Sequence, residues 1–171
     1  MMDKSQIEAM KQQLQVARKA YANTPVDGER ITIPREGKDD ISVIVYKPKE
    51  IKGTLPVLVE LHGGAWLAGD AVSMNSFCSY MAEAIPAVVV NLNYKKIDEH
   101  PFPYQQNEVF DTVRWLIDHA TDLNIDPSKI TICGQSAGAH ICAGAAILMK
   151  EEGIPLNRQI LIYPFTDFTF E

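Results

Sequence analysis

Ile130-Thr131-Ile132-Cys133-Gly134-Gln135-Ser136-Ala137-Gly138-Ala139-His140-Ile141-Cys142-Ala143 is the stretch that decides the fold. Its first four residues read as a strand and its last five as the start of a helix. Between them Ser136 has a glycine two positions before it and another two after it. A strand-to-helix turn this tight can force the serine into a strained backbone conformation and leave its Oγ exposed above the sheet edge. A strand that runs straight into a helix is also the building unit of an α/β sheet.

The flanking sequence has the same alternation. Leu55-Pro56-Val57-Leu58-Val59-Glu60-Leu61 and Ala87-Val88-Val89-Val90-Asn91-Leu92 are dense apolar runs, as expected for strands covered by helices on both faces. Helical spacing predicts helices over 77–84, from about Val109 to the region of 118–120, and from about Ala137 to Lys150. A turn at Asn124-Ile125-Asp126-Pro127-Ser128 precedes a strand over 129–133, and 159–164 reads as a last strand. Earlier, Ile31–Ile33 and Ile41–Tyr46 flank the turn-forming 36–40 and suggest an antiparallel hairpin. The expected fold class is therefore α/β, a mostly parallel sheet with an antiparallel N-terminal hairpin.

Residues 1–24 form a separate amphipathic segment in front of a body over 25–171. Ile7, Met10, Leu14, Ala17 and Tyr21 recur at helical spacing, and Asp3 with Gln6 resembles a capping box. Such a helix either covers apolar surface or serves as a lid segment.

Composition narrows the function class. The 171 residues are 46% hydrophobic and 22% charged, which is ordinary for a globular domain. A net charge of -6 with no Lys/Arg cluster argues against nucleic acid or an anionic membrane as partner, and favours a small neutral or acyl substrate. Cys78, Cys133 and Cys142 cannot all pair and have no metal-ligand spacing, so they read as reduced thiols, with no metal or cofactor implied. The first residues carry no apolar signal region and no run reaches a membrane span, so the cytoplasm is the expected compartment.

Four blocks, in order, resemble an α/β-hydrolase of the hormone-sensitive-lipase-like group of carboxylesterases. They are His62-Gly63-Gly64-Ala65-Trp66, then Asn93-Tyr94 with Glu99-His100-Pro101-Phe102-Pro103, then Gly134 to Gly138, then Leu161-Ile162-Tyr163-Pro164. A G-x-S-x-G pentapeptide alone arises by chance in about one chain in twenty of this length, so the order of the four blocks carries the resemblance. There are two departures. Ala65 stands where the family's third loop glycine is usual. The family's acid and histidine come on loops after two further strands, and two more βα units need at least about 60 residues, so the chain looks truncated before its catalytic Asp and His.

The resemblance implies Ser136 as nucleophile, with oxyanion donors at the N–H of Ala137 and at the loop N–H groups of Gly64 and Ala65, with Gly63 as a further donor. His62 is expected to shape that loop rather than act as base. His100 is expected to pack, His119 sits near a helix end, and His140 lies one turn past Ser136 as a weak substitute base. Asp111 is expected to be structural, and Asp167 precedes the place where the family's acid would arise. Trp66, Tyr94 and Tyr163 could line a substrate pocket or belong to the core. The expected function is hydrolysis of small carboxylic esters through an acyl-enzyme at Ser136. Two alternatives stay open: an inactive hydrolase-fold module that pairs as a homodimer through an exposed edge at 159–164, and a hydrolase of small amides or formamides.

Overall fold

The structure is a computed structural model that describes residues 3–167 and 169. Strands β1 (Glu29–Ile33) and β2 (Ile41–Tyr46) form the antiparallel hairpin that two β-like stretches flanking a turn-forming segment predict. Strand β2 then pairs antiparallel with β4 (Val88–Leu92), and from there the sheet is parallel through β3 (Leu55–Leu61), β5 (Ile125–Gln135) and β6 (Arg158–Ile162). The described sheet has the order β1-β2-β4-β3-β5-β6.

The apolar runs of β3 and β4 are explained by cover on both faces. Val57, Val59 and Leu61, with Val88, Val90 and Leu92, point to one side and pack with helices α3 (Tyr104–Asp118) and α5 (Ala137–Glu151) through Val109, Val113, Leu116, Ile141 and Met149. Leu58 and Val89 point to the other side and meet Cys78 and Ala82 of α2 (Asn75–Ala84). Each such side chain, fully buried, contributes roughly 1.5–3 kcal/mol. All three cysteines are free and buried within these layers.

Helix α1 (Lys4–Ala22) starts at the Asp3/Gln6 capping box read from sequence. It rests lightly on the body, with Val16 69% exposed. The side chain of Arg18 ties it down, donating to the Leu67 carbonyl at 2.7 Å and to both carboxylate oxygens of Asp98 at 2.8 and 3.1 Å.

Several boundaries differ from the sequence reading, among them the start of α3 at Tyr104 rather than about Val109. Strand β5 starts at Ile125, four residues before the expected Lys129. Asn124, in the left-handed region with φ 55° after the short helix α4 (Ala120–Leu123), makes the turn alone. Ile125 pairs with Leu55, and a register shift absorbs the intervening residues before Ile130 pairs with Val57. The Asp126 side chain accepts from Ser128 N–H and Oγ inside that irregularity, which is why the segment has turn-like composition. Helix α2 begins at Asn75, after a 3-10 turn over Ala71–Met74 capped by Asp70. The ladder of β6 ends at Ile162, so Tyr163 and Pro164 lie beyond it, at the open side of the sheet where Ile160 is 42% exposed.

Candidate active site

Ser136 sits between the end of β5 and the start of α5 with φ 51° and ψ -114°. A non-glycine residue held there costs on the order of 1–3 kcal/mol and persists only if its surroundings over-determine it. The two glycines supply that constraint. A Cβ added at Gly134 would lie 2.4 Å from the backbone C and O of Gly138, and one added at Gly138 would lie 2.2 Å from the Leu61 carbonyl oxygen. The N–H of Ser136 donates to the Ile162 carbonyl at 3.0 Å, tying the turn to β6. Its hydroxyl does not cap its own helix, and the residue is half-buried at the end of the sheet. A buried helix-capping serine is thus not what the turn holds.

The loop after β3 lies against this turn. A Cβ added to Gly63 would be 3.2 Å from the Gln135 carbonyl oxygen and 3.5 Å from Ser136 Cβ. Gly64 adopts φ 137°, where a Cβ would stand 2.1 Å from the Ala68 carbonyl oxygen, and its own carbonyl accepts from Leu67 and Ala68 N–H. Ala65 and Trp66 follow at φ 50° and 61°. Ala65 therefore occupies left-handed backbone at an L-residue cost of roughly 1–2 kcal/mol. Among the described residues no hydrogen bond takes up the N–H of Gly63, Gly64 or Ala65. The site thus holds a strained serine, a helix N-terminus and uncommitted amide donors side by side.

His62 anchors the loop from below. It is 1% exposed, stacks on Tyr94 with ring centroids 4.4 Å apart, and donates through Nδ1 to the Gly63 carbonyl at 2.6 Å. Its Nε2 faces Lys96 Nζ at 3.2 Å. Burial, reinforced by that ammonium, pulls its pKa down to about 3, so the ring is neutral. Of the two readings open for Tyr94, pocket or core, the structure has the core: it is 1% exposed, its ring supports His62 and its hydroxyl donates to the His62 carbonyl at 3.0 Å. The strand end that carries it turns inward.

The remaining histidines are also accounted for. His100 stacks on Tyr104 at 3.9 Å and pairs with Asp39 at 3.0 Å. His119 stacks on Trp115 and its Nδ1 meets the Trp115 carbonyl at 2.8 Å. His140 accepts from the Trp66 indole N–H through Nδ1 at 3.2 Å, and burial lowers its pKa. Trp66 and His140 wall a largely apolar cavity of about 500 Å³ with Ile97, Phe102, Gln105 and Gln106. Tyr163 is 67% exposed and its hydroxyl donates to Gln135, the residue before Ser136, at 3.0 Å.

Residues 58–171 match a family described as alpha/beta hydrolase fold. The chain belongs to that family. It is 37% identical over 139 residues to the carboxylesterase NlhH of Mycobacterium tuberculosis, covering 81% of this chain and 44% of that protein. It is 32% identical over 156 residues to the arylacetamide deacetylase of Bos taurus, covering 86% and 39%. Among solved structures, a hyperthermophilic esterase from the archaeon Pyrobaculum calidifontis superposes with a TM-score of 0.79 at 31% identity, over 99% of this chain and 54% of that one. The chain spans about half the length of the hydrolases it matches, or somewhat less.

Within this hydrolase fold, the carboxylates play supporting parts. Asp111 pairs with Arg35 at 3.1 Å and Lys38 at 3.3 Å, midway along α3. Asp167 is exposed and accepts from Thr169, which lowers its pKa. Two buried glutamates were not singled out by sequence. Glu108 accepts from Lys95 N–H, and burial raises its pKa to about 7 against the pull of that bond and of Arg35. Glu60, 0% exposed on β3, accepts from Gln135 Nε2 at 3.5 Å, and burial raises its pKa to about 7 against the pull of its hydrogen bonds with Cys133 and Gln135. Lys96 was missed as well, although it is 3% exposed beside His62. Among the described residues no group of His, Cys, Asp and Glu could hold a metal ion, and no helix is long and apolar enough to cross a membrane.

Proposed function

We propose that this chain carries the nucleophile and the oxyanion site of a serine hydrolase of small carboxylic esters. The observation that carries the reading is Ser136 at φ 51° directly after β5, with the uncommitted N–H groups of Gly64 and Ala65 in the adjoining loop. Ser136 Oγ attacks the ester carbonyl and its proton passes to a base. The carbonyl oxygen becomes an anion held by the N–H groups of Ala137, Gly64 and Ala65, and collapse expels the alcohol and leaves an acyl-enzyme on Ser136. The dipole of α5 adds positive potential at the same place.

The base is proposed to come from outside residues 1–171. The sequence has four histidines, and each is engaged as described, His62 through both ring nitrogens and His140 through Trp66. The cavity beside Trp66 suits an apolar acyl or alcohol group. That esterases of similar sequence and fold exist supports the bond class. A second reading, cleavage of an amide, is favoured by the likeness to an arylacetamide deacetylase, and comparison of p-nitrophenyl acetate with an aryl formamide separates the two.

In a polypeptide that carries these residues together with the remaining strands of the fold, a fluorophosphonate probe is expected to add one phosphonyl group at Ser136. Ser136→Ala is expected to remove at least about 99% of the labelling, since the nucleophile has no substitute. Equal labelling of both proteins, read by intact mass, would refute the proposal.

A further inference from the structure

We infer that Lys96 is the positioning residue of the His62 loop: its buried ammonium fixes the His62 imidazole in one tautomer and, through it, sets the direction of the N–H groups that follow. The consequence for catalysis rests on the oxyanion reading above. The structural claim does not.

The geometry leaves His62 one choice. Lys96 Nζ lies 2.7 Å from the Tyr94 carbonyl, 3.4 Å from Asn93 Oδ1 and 3.2 Å from His62 Nε2. An ammonium has donors only, so the nitrogen that faces it must carry a lone pair. The proton therefore resides on Nδ1, which donates to the Gly63 carbonyl at 2.6 Å. A flipped ring would set carbon atoms against both partners, and the Tyr94 ring stacked beneath it fixes its plane. The backbone of Gly69 closes over this bond, since a Cβ there would lie 2.7 Å from His62 Nδ1 and 2.6 Å from the Gly63 carbonyl oxygen.

The loop needs such an anchor. Gly64, Ala65, Trp66 and Gly69 all sit at positive φ, at 137°, 50°, 61° and 81°, and only Leu67 and Ala68 close a turn within the loop. The segment that bears Lys96 is itself tied in place: Lys96 N–H donates to Glu99 at 2.9 Å, and Ile97 N–H donates to the Trp66 carbonyl at 3.1 Å. The ammonium is held by neutral acceptors and by the face of Tyr94, 4.1 Å from its centroid, rather than by a contacting carboxylate. Burial pulls its pKa down to about 8, against the attraction of Asp70, Glu99 and Glu108 and with the repulsion of Arg18. His62 and Tyr94 are the remaining titratable groups that face it, and burial keeps both neutral. When Lys96 loses its proton the nitrogen can accept as well as donate, and the bond from His62 Nδ1 to the Gly63 carbonyl is left to hold the tautomer without the ammonium.

The test is nitrogen-15 NMR of the histidine rings in the 171-residue protein. At neutral pH His62 is expected to show a protonated Nδ1 and a bare Nε2. Between neutrality and about pH 10 its Nε2 resonance and the Gly64 and Ala65 amide resonances are expected to move with the same midpoint as the Lys96 side-chain carbons. Lys96→Met is expected to speed amide exchange of Leu67 and Ala68, whose N–H groups close the loop's turn on the Gly64 carbonyl, by at least about tenfold, and Lys96→Arg to restore most of the protection. A proton on Nε2 at neutral pH, a His62 signal that ignores the Lys96 titration, or unchanged exchange in Lys96→Met would each overturn the inference. If Lys96→Met does not fold, the titration of the unsubstituted protein decides. None of these signals depends on Ser136, so failure of the fluorophosphonate experiment and failure of this one are distinct results.

Discussion

Alanine at position 138 is expected to cost at least about 3 kcal/mol of stability, lowering the thermal midpoint by roughly 6–12 °C. The added methyl would lie 2.2 Å from the Leu61 carbonyl oxygen and 2.6 Å from that of His62. Both atoms are backbone, one in the central strand and the other at the root of the loop, so no side chain can swing aside. Relief requires α5 to lift from β3, which opens the contact made by Ile141, Ala145 and Met149 with Val57, Val59 and Leu61 and pulls Ser136 away from Gly63. Gly37→Ala makes a suitable control. Its φ of 68° is also unfavourable, but nothing lies within 4 Å of the new Cβ, so only the backbone term of about 1 kcal/mol is expected. Equal midpoints for Gly138→Ala and the unsubstituted protein would mean that the helix does not rest on the strand backbone as described.

Glu60→Gln is expected to become progressively more stable than the unsubstituted protein as pH rises from about 4.5 to about 7. Glu60 has an ordinary pKa of 4.5, and burial raises it to about 7 in the folded chain. Between those values the folded state holds a proton that the unfolded state has lost, so raising the pH drains stability by up to about 1.4 kcal/mol per unit. Below about 4.5 both states are protonated and the contribution is full; above about 7 both are ionised and the loss is complete. The glutamine variant lacks this titration, while Glu108, His62 and Lys96 titrate alike in both proteins and cancel in the difference. Across the window the gap should change by a few kcal/mol, on the order of 3. Urea midpoints at both ends of the window measure it, and a gap that does not change with pH would show that Glu60 is ionised and solvated. The same carboxyl sits one hydrogen bond from Gln135 and hence from the serine turn, so its ionisation places charge under the site.

How much of this was legible beforehand depended on whether a residue's environment was set locally. The turn around Ser136 was legible because its requirement for glycine on both sides is local, and backbone stands where each missing side chain would be. The hairpin was legible from two β-like stretches around a turn-forming segment, and the central strands from dense apolar runs that are buried on both faces. Glu60 was readable in principle, since it shares a strand face with Leu58 in a run already expected to be buried on both sides. Lys96 was not. In sequence it is one of two adjacent lysines in a polar stretch, and only the path of the chain after β4 leaves the Lys95 side chain 33% exposed while Lys96 is 3% exposed as a residue beneath the loop. Tyr94 was ambiguous for the same reason. The start of β5 was misplaced because Asp126, Pro127 and Ser128 are turn residues that here form an irregular strand rather than a connection.

The central claim is that Ser136 is held on a strained turn facing the amides of the His62 loop. A crystal structure of a phosphonate adduct at Ser136, in a polypeptide carrying the complete set of strands, tests it most directly. The phosphonyl oxygen is expected to accept hydrogen bonds from Ala137 N–H and from Gly64 or Ala65 N–H at about 2.7–3.1 Å. An adduct whose oxygen points to solvent with those amides directed elsewhere, or a phosphonate found on another residue, would contradict it.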